Sequence, residues 1–516
     1  MRKRDRIRIA ALCGGVVFAL LAAFGFQAEH YGESYPGPAL LAAVLLFVPI
    51  SFLFDCLFRR LKRSTPLEDD RPISFWGAFL LLVLCRLPAF ILLFPGSFAY
   101  DVPYQLQQIA TGVYSTHHPL VHTLFLGACV QLGRLIGHIN LGAALYSLLQ
   151  VLLLSMLNVL TCESILRQGG SRAARLSLWF FALYPVHMLM AINATKDVLF
   201  GGWFALALAL FREHLSGDDQ EKRHGALLFI ATLCSVLLRN NMAYALLAFL
   251  ICLLLARQAC PALILSCALI SGILLGQGLA TMLHAKQGDT REMLSWPIQQ
   301  IARISVQERE KLTDEEKEMI DDLLPHMAWQ KYDPTVSDPV KFEFVTEKLR
   351  ENPGKYARLC LSLLNKCPRC SLDAVLMLTH AYLYPYGQYR VSGRYLQTGV
   401  TKEDYTGWEE IIADASPLPG FRDALDWRFG AKGAMQIPVI GWFFNLGLIA
   451  WLMLYFILRG FAIGDPGEAL SGLWPLFLFG TFLLGPVMAG RYAYAFISVL
   501  PVLWTRMRSI PSKRTV

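Results

Sequence analysis

Residues 225–256 read Gly225-Ala-Leu-Leu-Phe-Ile-Ala-Thr-Leu-Cys-Ser-Val-Leu-Leu-Arg239-Asn-Asn241-Met-Ala-Tyr-Ala-Leu-Leu-Ala-Phe-Leu-Ile-Cys-Leu-Leu-Leu-Ala256. Two apolar runs, 225–239 and 240–256, meet at a single polar break, Arg239-Asn240-Asn241. Inside hydrocarbon a segment must satisfy its own backbone N–H and C=O groups, so runs of this kind form helices. Arginine and two asparagines belong at the membrane surface, where the chain turns back. The stretch therefore predicts a helical membrane pair, and with it an all-α polytopic membrane protein.

The same signal recurs on both sides. Apolar runs at about 8–27, 38–58, 74–94, 176–192, 197–212, 261–283, 437–459, 470–488 and 491–506 are candidates to cross roughly 30 Å of hydrocarbon. Two more lie within 119–162, so about 12–13 transmembrane helices are expected. Across all 516 residues 55% are hydrophobic and 17% charged, against about 25% charged in an ordinary soluble domain. Met1-Arg-Lys-Arg-Asp-Arg6 precedes the first run as it would in a signal peptide. That run is long and lacks a small-x-small cleavage site before Tyr31, so an uncleaved helix is expected. The net charge of +8 gathers beside membrane segments and is no argument for nucleic acid.

Basic connections lie at Met1–Arg8, 58–63, 167–175, 212–223, Arg257, Arg459 and the tail 506–514. The positive-inside rule places these, and both termini, in the cytoplasm. Five connections then fall outside: the Asp101 loop, 193–197, 239–241, the long segment 284–435, and 490–492. The expected organisation is N-terminal membrane helices over 1–283, an external helical and irregular segment over 284–435, and C-terminal membrane helices with a basic tail over 436–516. Asp101 outside and Arg167 inside require an odd number of crossings between them. One full crossing near 141–162 is expected, with His118–Leu135 partly embedded or re-entrant.

The external side collects the unusual polar residues. Asp101 opens Asp101-Val-Pro-Tyr, which fits a helix cap, and Gln105 and Gln108 share its helical face. A charge at that depth is costly without a task or partner. His117-His118-Pro119 follows; the imidazoles suit a cap, a metal or a phosphate. Lys196-Asp197, Arg239-Asn240 and Arg491-Tyr492 stand at other external lips. One such cation ordinarily snorkels to the interface, whereas three facing the side of Asp101 suggest a site. Gln299, Gln300 and Arg303 lie within Pro297-Ile-Gln-Gln-Ile-Ala-Arg303 and suit hydroxyls and phosphates. Thr313 with Glu316 predicts a capping box. Of twelve cysteines, Cys367-Pro-Arg-Cys370 with Cys360 leaves unpaired thiols or a disulfide open, and is short of zinc ligands.

Pro95-Gly-x-x-x-x-Asp101, His118-Pro119, Lys196-Asp197, Arg239-Asn240, Pro297-x-Gln-Gln-x-x-Arg303 and Arg491-Tyr492 together resemble the GT-C superfamily of membrane glycosyltransferases. More closely they resemble a bacterial branch grouped mainly under a domain of unknown function. The likeness runs from about 75 to 505. It implies transfer of a sugar from a polyprenyl-phosphate donor to an envelope glycan or lipid acceptor at the outer leaflet of the bacterial cytoplasmic membrane. Asp101 would be the general base. Lys196, Arg239, Arg303 and Arg491 would neutralise the departing phosphate, and Gln299 and Gln300 would orient the sugar. No Asp-x-Asp is present, so no cofactor is expected and a divalent metal is doubtful. A lipid-linked oligosaccharide flippase or transporter, and an envelope polysaccharide polymerase or ligase, are the competing readings.

Overall fold

The computed structural model describes residues 2–61, 73–99, 101–215, 221–385, 412–429, 441–442 and 445–506. The first half contributes α1 (Lys3–Tyr31), α2 (Pro36–Arg59), α3 (Phe75–Leu92), α4 (Val102–Thr111), α5 (Leu120–Leu135), α6 (Ile139–Gly169), α7 (Ser171–Leu183), α8 (Pro185–Met190), α9 (Lys196–Leu215), α10 (Glu221–Leu238), α11 (Asn241–Leu255) and α12 (Ala259–Met282). The second half adds α13 (Ser295–Gln307), α14 (Asp314–Leu323), α15 (Asp338–Lys341), α16 (Thr346–Glu351), α17 (Pro353–Lys366), α18 (Pro368–Leu383), α19 (Phe421–Phe429), α20 (Leu446–Ile463), α21 (Pro466–Leu483) and α22 (Tyr494–Trp504). Among the described residues, β pairing is confined to isolated bridges.

Seven of these helices are long and apolar enough to cross a membrane: α1, α2, α3, α6, α9, α12 and α20. Three shorter apolar helices accompany them, α5, α11 and the 224–238 part of α10. Among the described residues the long apolar helices are thus fewer than the expected 12–13 spans, for identifiable reasons. The run at 176–192 breaks between α7 and α8, where Pro185 holds Tyr184 in extended backbone. The run at 491–506 yields only eleven α-helical residues, after a 3-10 turn at Gly490–Ala493. Part of 437–459 lies outside the described residues, and the helix there is α20.

The stretch 119–162 holds α5 and most of α6, and of the two α6 is long and apolar enough to cross a membrane. Gln150 of α6 donates to the carbonyls of Ala191 and Asn193, and Gln168 of α6 donates to Ala209 of α9. The α6 stretch between these glutamines therefore runs beside α9 through the bundle, while residues 139–149 project past it. Helix α5 packs on that projection: His122 meets Tyr146, and a Cβ on Gly133 would come within 2.3 Å of the Gly142 nitrogen. Gly133, having no side chain, thus allows the backbones of α5 and α6 to pack directly.

Helix α9 is the axis of the bundle, buried along most of its length. Phe204 and Phe211 pack on Trp474, which stacks on Phe249 at 5.3 Å. Helix α2, by contrast, exposes Leu45, Val48 and Phe52, as a lipid-facing helix would. The segment after α12 forms a cap with its own core, including Ile301, Ile320, Trp329, Phe344 and Leu363. Thr313 and Glu316 form the expected capping box at the start of α14. Helix α18 leaves the cap and runs down the bundle, where Asp373 accepts from Ser34 N at 2.7 Å and His380 pairs with Glu29 at 3.0 Å. Cys367 and Cys370, at its start, are buried free thiols, and burial pushes Cys370 up to about 11. Residues 386–411 and 430–440 lie outside the described residues, and the described stretch between them carries α19.

Candidate functional site

Two loops bring the first charges together. After α3 the chain passes Gly96 at φ 130, a left-handed conformation that favours glycine, and a Cβ there would strike Ser147 Oγ at 2.1 Å. Ser97 N then donates to Ile192 O at 3.0 Å and Ala194 N donates to Ser97 O at 2.8 Å. These two bonds stitch 95–97 to 192–194, so Asp101, the N-cap of α4, stands beside Lys196, the first residue of α9.

A buried polar chain holds the frame. Gln105 reaches His122 at 3.0 Å and Thr123 at 3.2 Å; His122 meets the Tyr146 hydroxyl at 2.8 Å, which donates to Gln150. Gln150 closes the circuit on the 191–193 carbonyls. Gln105, expected on the helical face of Asp101, therefore fixes α4 against α5 and α6. Gln108 accepts from Ser115 N at 2.9 Å and shapes the turn that carries the histidines.

The charged cluster itself contains Asp101, His118, Lys196, Asp197, Arg239 and Arg491. Asp101 accepts from Lys196 Nζ at 2.5 Å through one carboxylate oxygen and from Arg491 Nη2 at 3.1 Å through the other. His118 Nδ1 lies 3.4 Å from Lys196 Nζ and 3.6 Å from Asp101. Behind them Asp197 pairs with Arg239 and lies 3.8 Å from Arg491 Nε. Arg239 is held over the rings of Phe482 at 4.1 Å and Tyr492 at 4.7 Å. Asn241 binds Arg239 Nε and Thr481, joining α11 to α21.

Exposure separates the two acids. The Asp197 side chain is 2% exposed and Asp101 21%, so only Asp101 is open to an incoming molecule. Burial alone would raise its carboxyl; Arg491, then Lys196 and His118, outweigh it and hold the group well below the usual carboxylate range. Burial, with Lys196 adding to it, pushes the His118 imidazole down to about 3, so the ring is neutral at pH 7. Three cations face two acids, which leaves the cluster one positive charge in excess. An anion is the natural complement. Among the described residues no three His, Cys, Asp or Glu side chains gather as metal ligands would.

The remaining sequence candidates fall elsewhere. His117 is exposed, with its ring 4.5 Å from that of His118, at the rim. Asn240 donates to Thr116 O at 3.1 Å and pins that rim. Gln299, Gln300 and Arg303 are not brought to Asp101. They bond Asp333 O at 2.8 Å, Ser371 O at 3.3 Å and the Tyr332 hydroxyl at 3.0 Å, and so tie α13 into the cap and α18. Two residues the sequence reading did not single out touch the frame. The Tyr382 hydroxyl accepts from Ala489 N at 2.9 Å, and Arg422 donates to the carbonyls of Leu93, Phe94 and Gly96 just ahead of Asp101. A tyrosine in an apolar run and an arginine in a loop carry no spacing that would mark them.

An apolar cavity of about 590 Å³ opens between α1, α2 and α20, lined by Ala22, Phe26, Leu46, Tyr384, Trp442 and Trp451 among others. It is separate from the charged cluster, but Tyr384 is two residues beyond Tyr382, whose hydroxyl bonds next to Arg491.

No curated protein matches this chain. No solved structure matches it either. A family described as a family of unknown function, DUF6020, matches residues 104–514. That span holds every charged residue of the cluster except Asp101, which stands just before it, and on its extent the chain belongs to the DUF6020 family.

Proposed function

We propose that this chain is a membrane glycosyltransferase of the GT-C kind. It moves a sugar from a polyprenyl-phosphate donor to an envelope glycan or lipid acceptor, at the outer leaflet of a bacterial cytoplasmic membrane. The observation that carries the reading is an open, ionised Asp101 clamped between Lys196 and Arg491, with Arg239 behind them.

A carboxylate held by two cations is a weak base. The phosphate of an incoming donor competes for Lys196 and Arg491 and releases Asp101 as it binds. Asp101 then accepts the proton of the acceptor hydroxyl while that oxygen bonds to the anomeric carbon. The bond from that carbon to the phosphate oxygen breaks on the opposite face, inverting the centre. Its electron pair leaves with the phosphate, beside the cations that stabilise it. The apolar cavity near Tyr384 supports a lipid-linked donor. The charges gather at one end of the bundle rather than at its middle, which favours transfer over flipping.

The test is mass spectrometry of envelope glycans and lipid-linked sugars with the gene, without it, and with Asp101→Asn. One sugar-bearing glycan should disappear in the last two and its lipid-linked donor accumulate. An unchanged profile refutes the proposal, and accumulation on the inner leaflet alone points to a flippase.

A further inference from the structure

Among the described residues, Arg86 is a charge inside the bundle with no counterpart. Arg86 lies two-thirds of the way along α3 with no exposed surface. Its Nη1 donates to Ser155 Oγ at 2.5 Å, and Ser155 is spent on the Val151 carbonyl. Nε and Nη2 have no hydrogen-bond partner, and among the described residues no carboxylate forms an ion pair with Arg86. His187 of α8 is equally buried. Its Nδ1 meets the Tyr494 hydroxyl at 3.1 Å and its Nε2 has no partner. Arg86 lies within electrostatic range of both His187 and Tyr494. One turn beyond Ser155 on α6, Asn158 is buried with both amide atoms unpartnered.

Arginine does not shed its proton to escape such a site. An unpaired charge among Leu82, Phe181 and their neighbours carries a large desolvation cost. Water satisfies donors but leaves the charge. Arg86 offers only donors at Nε and Nη2, and in the tautomer that accepts from the Tyr494 hydroxyl at Nδ1 the His187 ring adds another at Nε2. A donor set around an unneutralised cation, sealed from solvent, fits a monoatomic anion.

We infer that Arg86, with His187, holds a chloride-sized inorganic anion at the junction of α3, α6, α8 and α22. Tyr494 follows Arg491 by three residues and His187 precedes Lys196 by nine, so the bound anion secures two segments that carry the charged cluster.

The experiment compares the Tm of the purified full-length protein in sodium chloride and in sodium gluconate at equal ionic strength. Chloride should raise Tm saturably, on the order of 2 °C, and Arg86→Met should abolish the rise. His187→Phe removes one donor and should shift the half-saturating chloride concentration about tenfold. Wild-type crystals grown in bromide should show anomalous density within contact of Arg86, a readout that does not need the variants to fold. Equal Tm in both salts, a chloride response kept in Arg86→Met, or bromide absent from Arg86 overturns the inference.

Discussion

Charged clusters sit at both ends of α9, and they differ in what they leave open. At the far end Arg212 donates to the carbonyls of Val502 and Thr505, and Arg459 binds Glu468 together with the carbonyls of Leu503 and Trp504. Those arginines cap the last turn of α22, where helix carbonyls lack partners, and Glu468 is 2% exposed. At the near end Lys196 and Arg491 spend their charge on Asp101, which a solute can reach. Sequence marks both ends alike, as cations and acids at helix lips. Accessibility of the acid is what separates a structural lock from a reactive site.

Breaking each lock should therefore produce different failures. Asp101→Asn should lower sugar transfer about 10²–10⁴-fold while the protein stays folded, measured with a lipid-linked donor in vesicles. Retained transfer would remove Asp101 as the base. Glu468→Ala should do the reverse. Arg459 is left buried and uncompensated at a cost of about 3–5 kcal/mol, seen as a lower Tm in detergent, with transfer per folded molecule unchanged.

The acid response sharpens the contrast. The His118 imidazole is depressed to about 3 in the folded protein, from 6.5. The unfolded chain binds a proton that the folded one refuses between those values. Stability from this residue is complete above pH 6.5 and is lost as pH falls toward 3. Asp101, also depressed, adds a loss only below its ordinary 3.8. His118→Gln should flatten the Tm profile between pH 6.5 and 4; an unaltered slope would show that His118 is not the group responsible. The smallest effect is expected in the cap. Arg303→Met should cost about 1–3 kcal/mol and leave the KM for donor unchanged, since its partners are Tyr332, Gly32 and Asp373, all away from Asp101.

Much of the cluster was legible because lip position and charge sign survive without coordinates. Asp101, His118, Lys196, Asp197, Arg239 and Arg491 were each visible as polar breaks in apolar runs, and the side count put them on one face. Gln299, Gln300 and Arg303 passed the same filter, yet they serve the cap. A polar residue near a membrane surface looks alike whether it faces a cleft or a neighbouring carbonyl. Long apolar helices are fewer than apolar runs because hydropathy does not register the break at Tyr184–Pro185 or the shortness of α22.

Apolar run length and the placement of lysines and arginines set this chain's helical, membrane-borne character and the grouping of its polar loops, because hydrocarbon tolerates so few alternatives. Folding alone decided that Ser97 pairs with the 192–194 turn, that α5 packs on the head of α6, and that Arg86 has no acid beside it among the described residues. Each of those outcomes depends on contacts between residues far apart in the chain, and no local pattern encodes which distant carbonyl a donor will find.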